Sequence, residues 1–293
     1  MKELKKIFGL IRFPFLIIAI LSYVLGLAIN HYLMGKIYLE SQYLGGLILF
    51  FILSSSSLLG EYFRTPVEIT NDGNSAAERE IFRIQILLIS ITIIAIAFYL
   101  IFILIKDGYF SVEVWLILPV IILLALAKVL PPIRLENHGI GELLSAFLET
   151  SLSTAFAFLL QHNSFHRMLT IFSLPMFFLV LAYYMVQNFS EYSKHIKSGH
   201  ESFLLKLSWQ NGIKVHNGLL VSAYLFLAIV SFFGISIQLI FPVFLTFPLA
   251  FYQIVSINNV ANGGKPIWQI LKNTAAAICG LSIYLIILTL WLH

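Results

Sequence analysis

Charge is what this sequence has least of. Asp, Glu, Lys and Arg make up 11% of its 293 residues, against about 25% in a soluble domain, which excludes a water-soluble globular fold. Cysteine is almost missing as well. Cys279 stands alone inside an apolar stretch, so there is no disulfide framework and no thiolate metal site, and the residue reads as packing. No basic tract occurs either. The 18 Lys and Arg outnumber 14 Asp and Glu and give a pI near 9.0, but they are scattered over many loops, which excludes a nucleic-acid partner. What the chain does have is apolar residues, 59% of the total, with a mean hydropathy of +0.92. Helices satisfy their own backbone hydrogen bonds in lipid, so each long apolar run reads as a helix. The expectation is an all-α integral membrane protein, a single polytopic domain over residues 1–293.

Nine apolar runs are visible, at about 13–33, 39–60, 81–105, 111–130, 142–161, 168–188, 215–233, 235–255 and 270–292, each near the roughly 20 residues a span needs. The first follows Lys2, Lys5, Lys6 and Arg12. It is too long for a signal peptide and lacks an A-x-A cleavage site, so it is expected to be retained. Counting Lys and Arg on alternate sides leaves three on one side, Lys36, Lys106 and Arg167, and fifteen on the other. The positive-inside rule then puts the N-terminus in the cytoplasm and the C-terminus outside the cell (inner) membrane. The polar loops 60–80 and 188–214 fall together on the cytoplasmic face. Paired broken helices and an internal repeat are absent, which argues against a small transporter.

Several polar residues have local structural explanations. Thr65-Pro66-Val67-Glu68 is a capping box with Pro at the first helical position, which leaves Glu68 either a cap or a ligand. Ser75-Ala76-Ala77-Glu78 repeats the box, and Asn71-Asp72-Gly73-Asn74 is turn chemistry. In the second loop Ser198-Gly199-His200-Glu201 permits a cap for a short amphipathic helix carrying Phe203, Leu204 and Leu207 and ending at Asn211-Gly212. Asn188 and Glu191 follow directly on an apolar span, where polar groups are costly unless they face water or protein. Glu142 and Glu149 share a face of the fifth run and are functional candidates for the same reason. No His-x-x-x-His or Glu-x-x-His pattern occurs, and Gly139-Ile140-Gly141 lacks the strand context of a nucleotide loop.

The segment beginning Gln187-Asn188-Phe189-Ser190-Glu191 and passing Lys194, His195, Lys197, Gly199 and His200 resembles the second motif of the UbiA superfamily of intramembrane prenyltransferases, an Asn and two or three Asp ahead of a Gly-Lys-x-Thr-Leu segment. Gly60-Glu61-Tyr62-Phe63-Arg64-Thr65-Pro66-Val67-Glu68 stands where that family carries its first motif, at the end of span two. Arg12-Phe13-Pro14 is similar to the family's Arg-Pro opening. Pro131-Pro132-Ile133-Arg134 with Gly139-Ile140-Gly141-Glu142 resembles its menaquinone-type members, and nine spans with the N-terminus inside match too.

The resemblance implies a UbiA-type fold, nine transmembrane helices around a central cavity, and transfer of a polyprenyl chain from prenyl diphosphate to an aromatic, quinone-precursor or other lipophilic acceptor. Carboxylates at helical spacing would hold Mg²⁺ against the diphosphate and help pyrophosphate to leave. It assigns catalytic roles to Glu61, Asn188 and Glu191, substrate binding to Arg64, Glu68, Arg134, Lys194, His195 and Lys197, and metal ligation to Glu61, Glu68 and Glu191. The chain departs from the pattern at Gly60, Glu61, Arg64, Glu191, His195 and His200. Arg64 and His195 would repel Mg²⁺, while Arg64 suits a diphosphate directly. A catalytically degenerate member that binds isoprenoid or quinone lipid, or assists a partner enzyme in the membrane, is the alternative.

Overall fold

The structure is a computed structural model and describes residues 13–35, 37–63, 76–198 and 201–293. Arg12, Arg64, Glu68, the 71–74 turn, Gly199 and His200 lie outside the described residues. The chain runs α1 (Phe13–Met34), α2 (Leu39–Phe63), α3 (Ala76–Lys106), α4 (Val112–Ala127), α5 (Gly141–Leu159), α6 (Arg167–Ser198), α7 (Phe203–Leu207), α8 (Trp209–Val230), α9 (Ile237–Ala261) and α10 (Trp268–Leu292). No strand occurs among the described residues. Eight of these helices are long and apolar enough to cross a membrane, and the chain is an all-α integral membrane protein.

Hydropathy alone leads to nine spans, and the fourth run, expected over 111–130, is the one that differs. It forms α4, 16 residues starting behind the Ser111 cap, about 24 Å of helix against a hydrocarbon core of about 30 Å. The helix stops ahead of Pro131 and Pro132. Proline has no N–H to donate and disfavours helical geometry in the residue before it, so the backbone turns through 128–134 instead of continuing.

The centre of the bundle is occupied by α5 and α6, whose apolar windows are 72% buried, whereas that of α3 is 17% buried. Helix α1 packs against α5 and α10, α6 against α5, α8 and α10, and α3 almost wholly against α2. Close approach of α1 to α5 is set at Gly26, where a Cβ would lie 2.3 Å from the Thr154 carbonyl oxygen; Thr154 Oγ1 in turn donates to the Ser22 carbonyl at 2.9 Å. At the far end of α5 the Ala157 carbonyl accepts from the side chains of Asn30 and Gln42, and Asn30 also donates to the Phe158 carbonyl. The bonds to Ala157 supply partners to a carbonyl in the last turn of the helix, where an unpaired backbone group in lipid is costly.

Two serines of the run Ser54–Ser57 pin α2 to its neighbours. Ser55 and Ser90 approach to 2.8 Å between hydroxyls, and each also lies within hydrogen-bond reach of the other's carbonyl, at 3.1 and 3.0 Å. Ser56 Oγ donates to the Ala125 carbonyl at 2.6 Å, tying α2 to α4. Small hydroxyl side chains suit this work because they let helices approach closely while supplying a donor. Within α5 the ladder widens to a π-turn over Leu148–Leu152. Thr150 and Ser153 donate to the carbonyls of Ala146 and Leu148, which the widened turn would otherwise leave poorly paired. Such turns rotate the helix face locally, here at Glu149.

Candidate functional site

Helix α6 is the backbone of the site. Its 32 residues make about 48 Å of helix, more than a bilayer core needs, so its last turns extend past the apolar stretch. Hydropathy places the end of this span near 188 and a polar loop over 188–214. Residues 188–198 instead continue α6, and α7 and α8 occupy 203–207 and 209–230. Polar residues at a helix end lower hydropathy without breaking the helix, which explains the difference. The N-cap of the short helix is Ser202, whose Oγ accepts from Leu205 N–H at 3.3 Å, rather than Ser198. That helix ends at Leu207 rather than at Asn211-Gly212; these two belong to α8, and Gly212 has no Cβ because Leu204 Cδ1 sits 2.1 Å from where one would be.

Within the extension, Asn188, Glu191 and His195 follow one another at helical spacing. Asn188 is half-buried and its Nδ2 donates to Glu142 Oε1 on α5. The same carboxylate accepts from the Phe203 N–H, 3.2 Å from each oxygen. Glu142 therefore caps α7 from another helix and fixes the end of α6 at once. Glu191 is exposed, with His195 Nε2 3.5 Å from its Oε2. Lys194 and Lys197 are exposed on the outer side of the same turns, and Lys194 and Lys272 both act electrostatically on Glu191. Lys272 lies in the first turns of α10 and was not among the residues singled out from sequence. Its signal was there, a lysine at the start of a span on the basic side.

The end of α2 reaches this network through residues 129–142. Gly60 lies against Val129 and the Glu136 carboxylate, 3.2 and 3.7 Å from the position of a Cβ. Gly141 meets the Glu136 Cα at 2.7 Å in the same sense, and the next residue is Glu142. Glu61 is half-buried in the last turn of α2, while Arg83 of α3 donates from Nη2 to the Tyr62 carbonyl at 2.9 Å and lies 5.3 Å above the Tyr62 ring. A carbonyl of the last helical turn has no partner within its own helix, and the guanidinium supplies one. Arg134 is half-buried at φ 31°, a left-handed conformation that costs an ordinary residue about 1–2 kcal/mol. Its carbonyl accepts from the Asn137 N–H at 2.9 Å, opening the turn Leu135–His138. Gly139, at φ 66°, carries the chain out of that turn under the aliphatic part of Lys206. The Gly-Ile-Gly-Glu stretch thus lets three segments meet closely.

Deeper in the bundle, Glu149 is buried at the π-turn and accepts from the Tyr184 hydroxyl, one helical turn before Asn188. Phe15 stacks on Tyr184 with ring centroids 4.8 Å apart. The two acids of α5 that sequence marked as candidates both face α6. Of the assigned residues, Asn188, Glu191, His195, Lys194 and Lys197 share one helix end, while Glu61 follows Gly60, which packs on Val129 and Glu136, and Arg134 opens the turn that carries Glu136. Arg64 and Glu68 lie outside the described residues. For the expected Mg²⁺, no three His, Cys, Asp or Glu side chains converge as a ligand set among the described residues, and the Glu191 carboxylate is engaged with His195. Glu68, the third assigned ligand, lies outside the described residues. No protein-family model and no curated protein matches the chain.

Proposed function

We propose that the chain is a membrane prenyltransferase of UbiA type, transferring a polyprenyl chain from its diphosphate to an aromatic quinone-precursor or similar lipophilic acceptor. The observation that supports this best is the junction of two polar segments far apart in sequence, the ends of α2 and α6, through Gly60, Glu136, Glu142 and Asn188. A diphosphate held at a bundle mouth needs such a junction. In this reading α4 counts as a ninth crossing, the junction faces the cytoplasm of a cell (inner) membrane, and the N-terminus lies on that side.

Lys194, Lys197 and Arg134, with Arg64, would bind the diphosphate by charge-assisted hydrogen bonds. The allylic C–O bond breaks and pyrophosphate leaves with the electron pair. The acceptor carbon then forms the new C–C bond and releases a proton. Phe15, Tyr183 and Tyr184, grouped on the inner side of the junction, would stabilise the allylic cation through their ring faces. The alternative, a degenerate member that binds isoprenoid or quinone lipid or assists a partner enzyme, is favoured by one specific observation: Asn188 and Glu191 are already engaged, by Glu142 and His195.

Incubation of the reconstituted protein with radiolabelled farnesyl diphosphate and a hydroxynaphthoate separates the two. Labelled product that disappears in Lys194→Ala/Lys197→Ala supports transfer. Diphosphate binding without product supports the alternative.

A further inference from the structure

Helix α5 buries an acid that the Glu142–Asn188 junction does not use. Glu149 stands eight residues past Gly141, about 12 Å along the helix, and is 6% exposed. An acid at that depth in a spanning helix is costly and is a functional candidate by default. The helix is deformed at this point. The π-turn Leu148–Leu152 begins one residue earlier, and such turns are concentrated at functional positions. Glu149 meets Tyr184 of α6, whose hydroxyl donates to its Oε2 at 2.5 Å, within the roughly 2.5–2.7 Å of an O–H···O⁻ bond.

Tyr184 in turn belongs to a group of three rings. Phe15 of α1 stacks on it with centroids 4.8 Å and planes 23° apart, and meets Tyr183 edge-on at 6.0 Å and 60°. Phe15 therefore fixes the plane of the Tyr184 ring, and Glu149 fixes its tip. Tyr184 stands one helical turn before Asn188, on the inner side of the junction. A diphosphate held at the junction would put the first carbon of its prenyl chain beside these rings. The bond to Glu149 also has an electronic effect. A phenol that donates to a carboxylate is polarised toward its anion, more so in a low-dielectric interior, and a ring richer in electrons attracts a cation more strongly. Glutamine at 149 could hold the ring in place, but a charged carboxylate also enriches it.

We propose that Glu149 is a positioning residue for prenyl transfer, acting through the Tyr184 hydroxyl to fix that ring and to raise its electron density toward the allylic cation. The proposal rests on the prenyl-transfer reading and deepens it. Glu149 touches neither the diphosphate nor the acceptor, so its influence falls on ionisation of the allylic C–O bond and not on binding of the diphosphate. The electron pair of that bond leaves with pyrophosphate, and Glu149 neither gains nor loses a proton in the step.

The test is a double-mutant cycle on the reconstituted full chain with labelled farnesyl diphosphate and the hydroxynaphthoate, reading kcat and KM separately. Glu149→Gln, which keeps an acceptor for the hydroxyl, is expected to lower kcat roughly tenfold or more, with KM for farnesyl diphosphate changed less than about twofold. Tyr184→Phe is expected to do the same. The double variant should be no slower than the slower single one, because the carboxylate works through the hydroxyl. If Glu149→Gln does not fold, Tyr184→Phe alone carries the test, with the same expected split between kcat and KM. An unchanged kcat in either single variant, a loss confined to KM, or single effects that multiply in the double variant would overturn the proposal while the transfer reading stands. No product from the unmodified protein would overturn that reading and the proposal with it.

Discussion

Glu142 ties together two segments that are far apart in the sequence. Its carboxylate accepts from Asn188 and from the Phe203 N–H, and removal of the carboxylate leaves a half-buried amide and a helix N-terminus without this partner. An unsatisfied buried group costs about 1–3 kcal/mol, so Glu142→Ala should lower thermal stability in detergent by that order, and Glu142→Gln by less because its amide oxygen still accepts. A double-mutant cycle with Asn188→Ala should return a coupling above about 0.5 kcal/mol; additive effects would mean the contact contributes nothing. His166 offers a residue-scale effect of pH. Its Nδ1 accepts from the Met168 N–H at 3.3 Å, and burial, with His162 and Arg167 nearby, holds its pKa below the ordinary imidazole value. A folded pKa below the unfolded one contributes stability above about pH 6.5 that is lost as pH falls through the folded value. Melting temperature should therefore fall less between pH 7 and pH 5 in His166→Asn, which caps without titrating, than in the unmodified protein. The metal question also belongs to single residues. The chain has two aspartates, Asp72 and Asp107, so neither motif segment retains an aspartate cluster, and glutamates stand interleaved with Arg64 and His195.

At the scale of elements, the weakest attachment is that of α3, which rests almost wholly on α2 and is held at its middle by the reciprocal Ser55–Ser90 bonds. Interhelical hydrogen bonds in membranes average about 0.6 kcal/mol and reach about 1.7. Ser55→Ala and Ser90→Ala should therefore each destabilise modestly, with a coupling in that range, and hydrogen exchange of α3 should rise before that of α6. Equal exchange of α3 and α6 in both variants would argue against this attachment. The elements themselves were largely legible. Eight of nine apolar runs became helices of spanning length because hydropathy over about 20 residues is the constraint lipid imposes. What hydropathy does not carry is helix beyond the apolar stretch, so the last ten residues of α6 read as loop and the start of α8 reads as the end of the short helix before it. It also carries no pairing between distant residues. Asn188 and Glu191 could be singled out by position, but that Asn188 would meet Glu142, and Tyr184 would meet Glu149, depends on packing that one sequence does not encode locally.

For the whole molecule, the asymmetry of Lys and Arg, fifteen against three, predicts that the ends of α2 and α6 face the same compartment, the cytoplasm. Single cysteines at Asn74 and Lys197, in a chain with Cys279→Ala, should both react with a membrane-impermeant maleimide only from the cytoplasmic side. Reaction from opposite sides would break the span assignment. The central claim is that this common face binds prenyl diphosphate through cations, and it follows from charge: Lys194, Lys197 and Lys272 stand near Glu191 and His195 at the end of α6, an arrangement that attracts a polyanion and attracts a dication poorly. Arg64→Asp with His195→Asp should reverse that preference and make binding depend on Mg²⁺. The most direct measurement is the melting temperature of the purified protein with farnesyl diphosphate, in EDTA and again with Mg²⁺. The account predicts stabilisation of similar size in both conditions, lost in Lys194→Ala/Lys197→Ala. Stabilisation that appears only with Mg²⁺ and vanishes in Glu191→Ala, or no stabilisation in either condition, would contradict it.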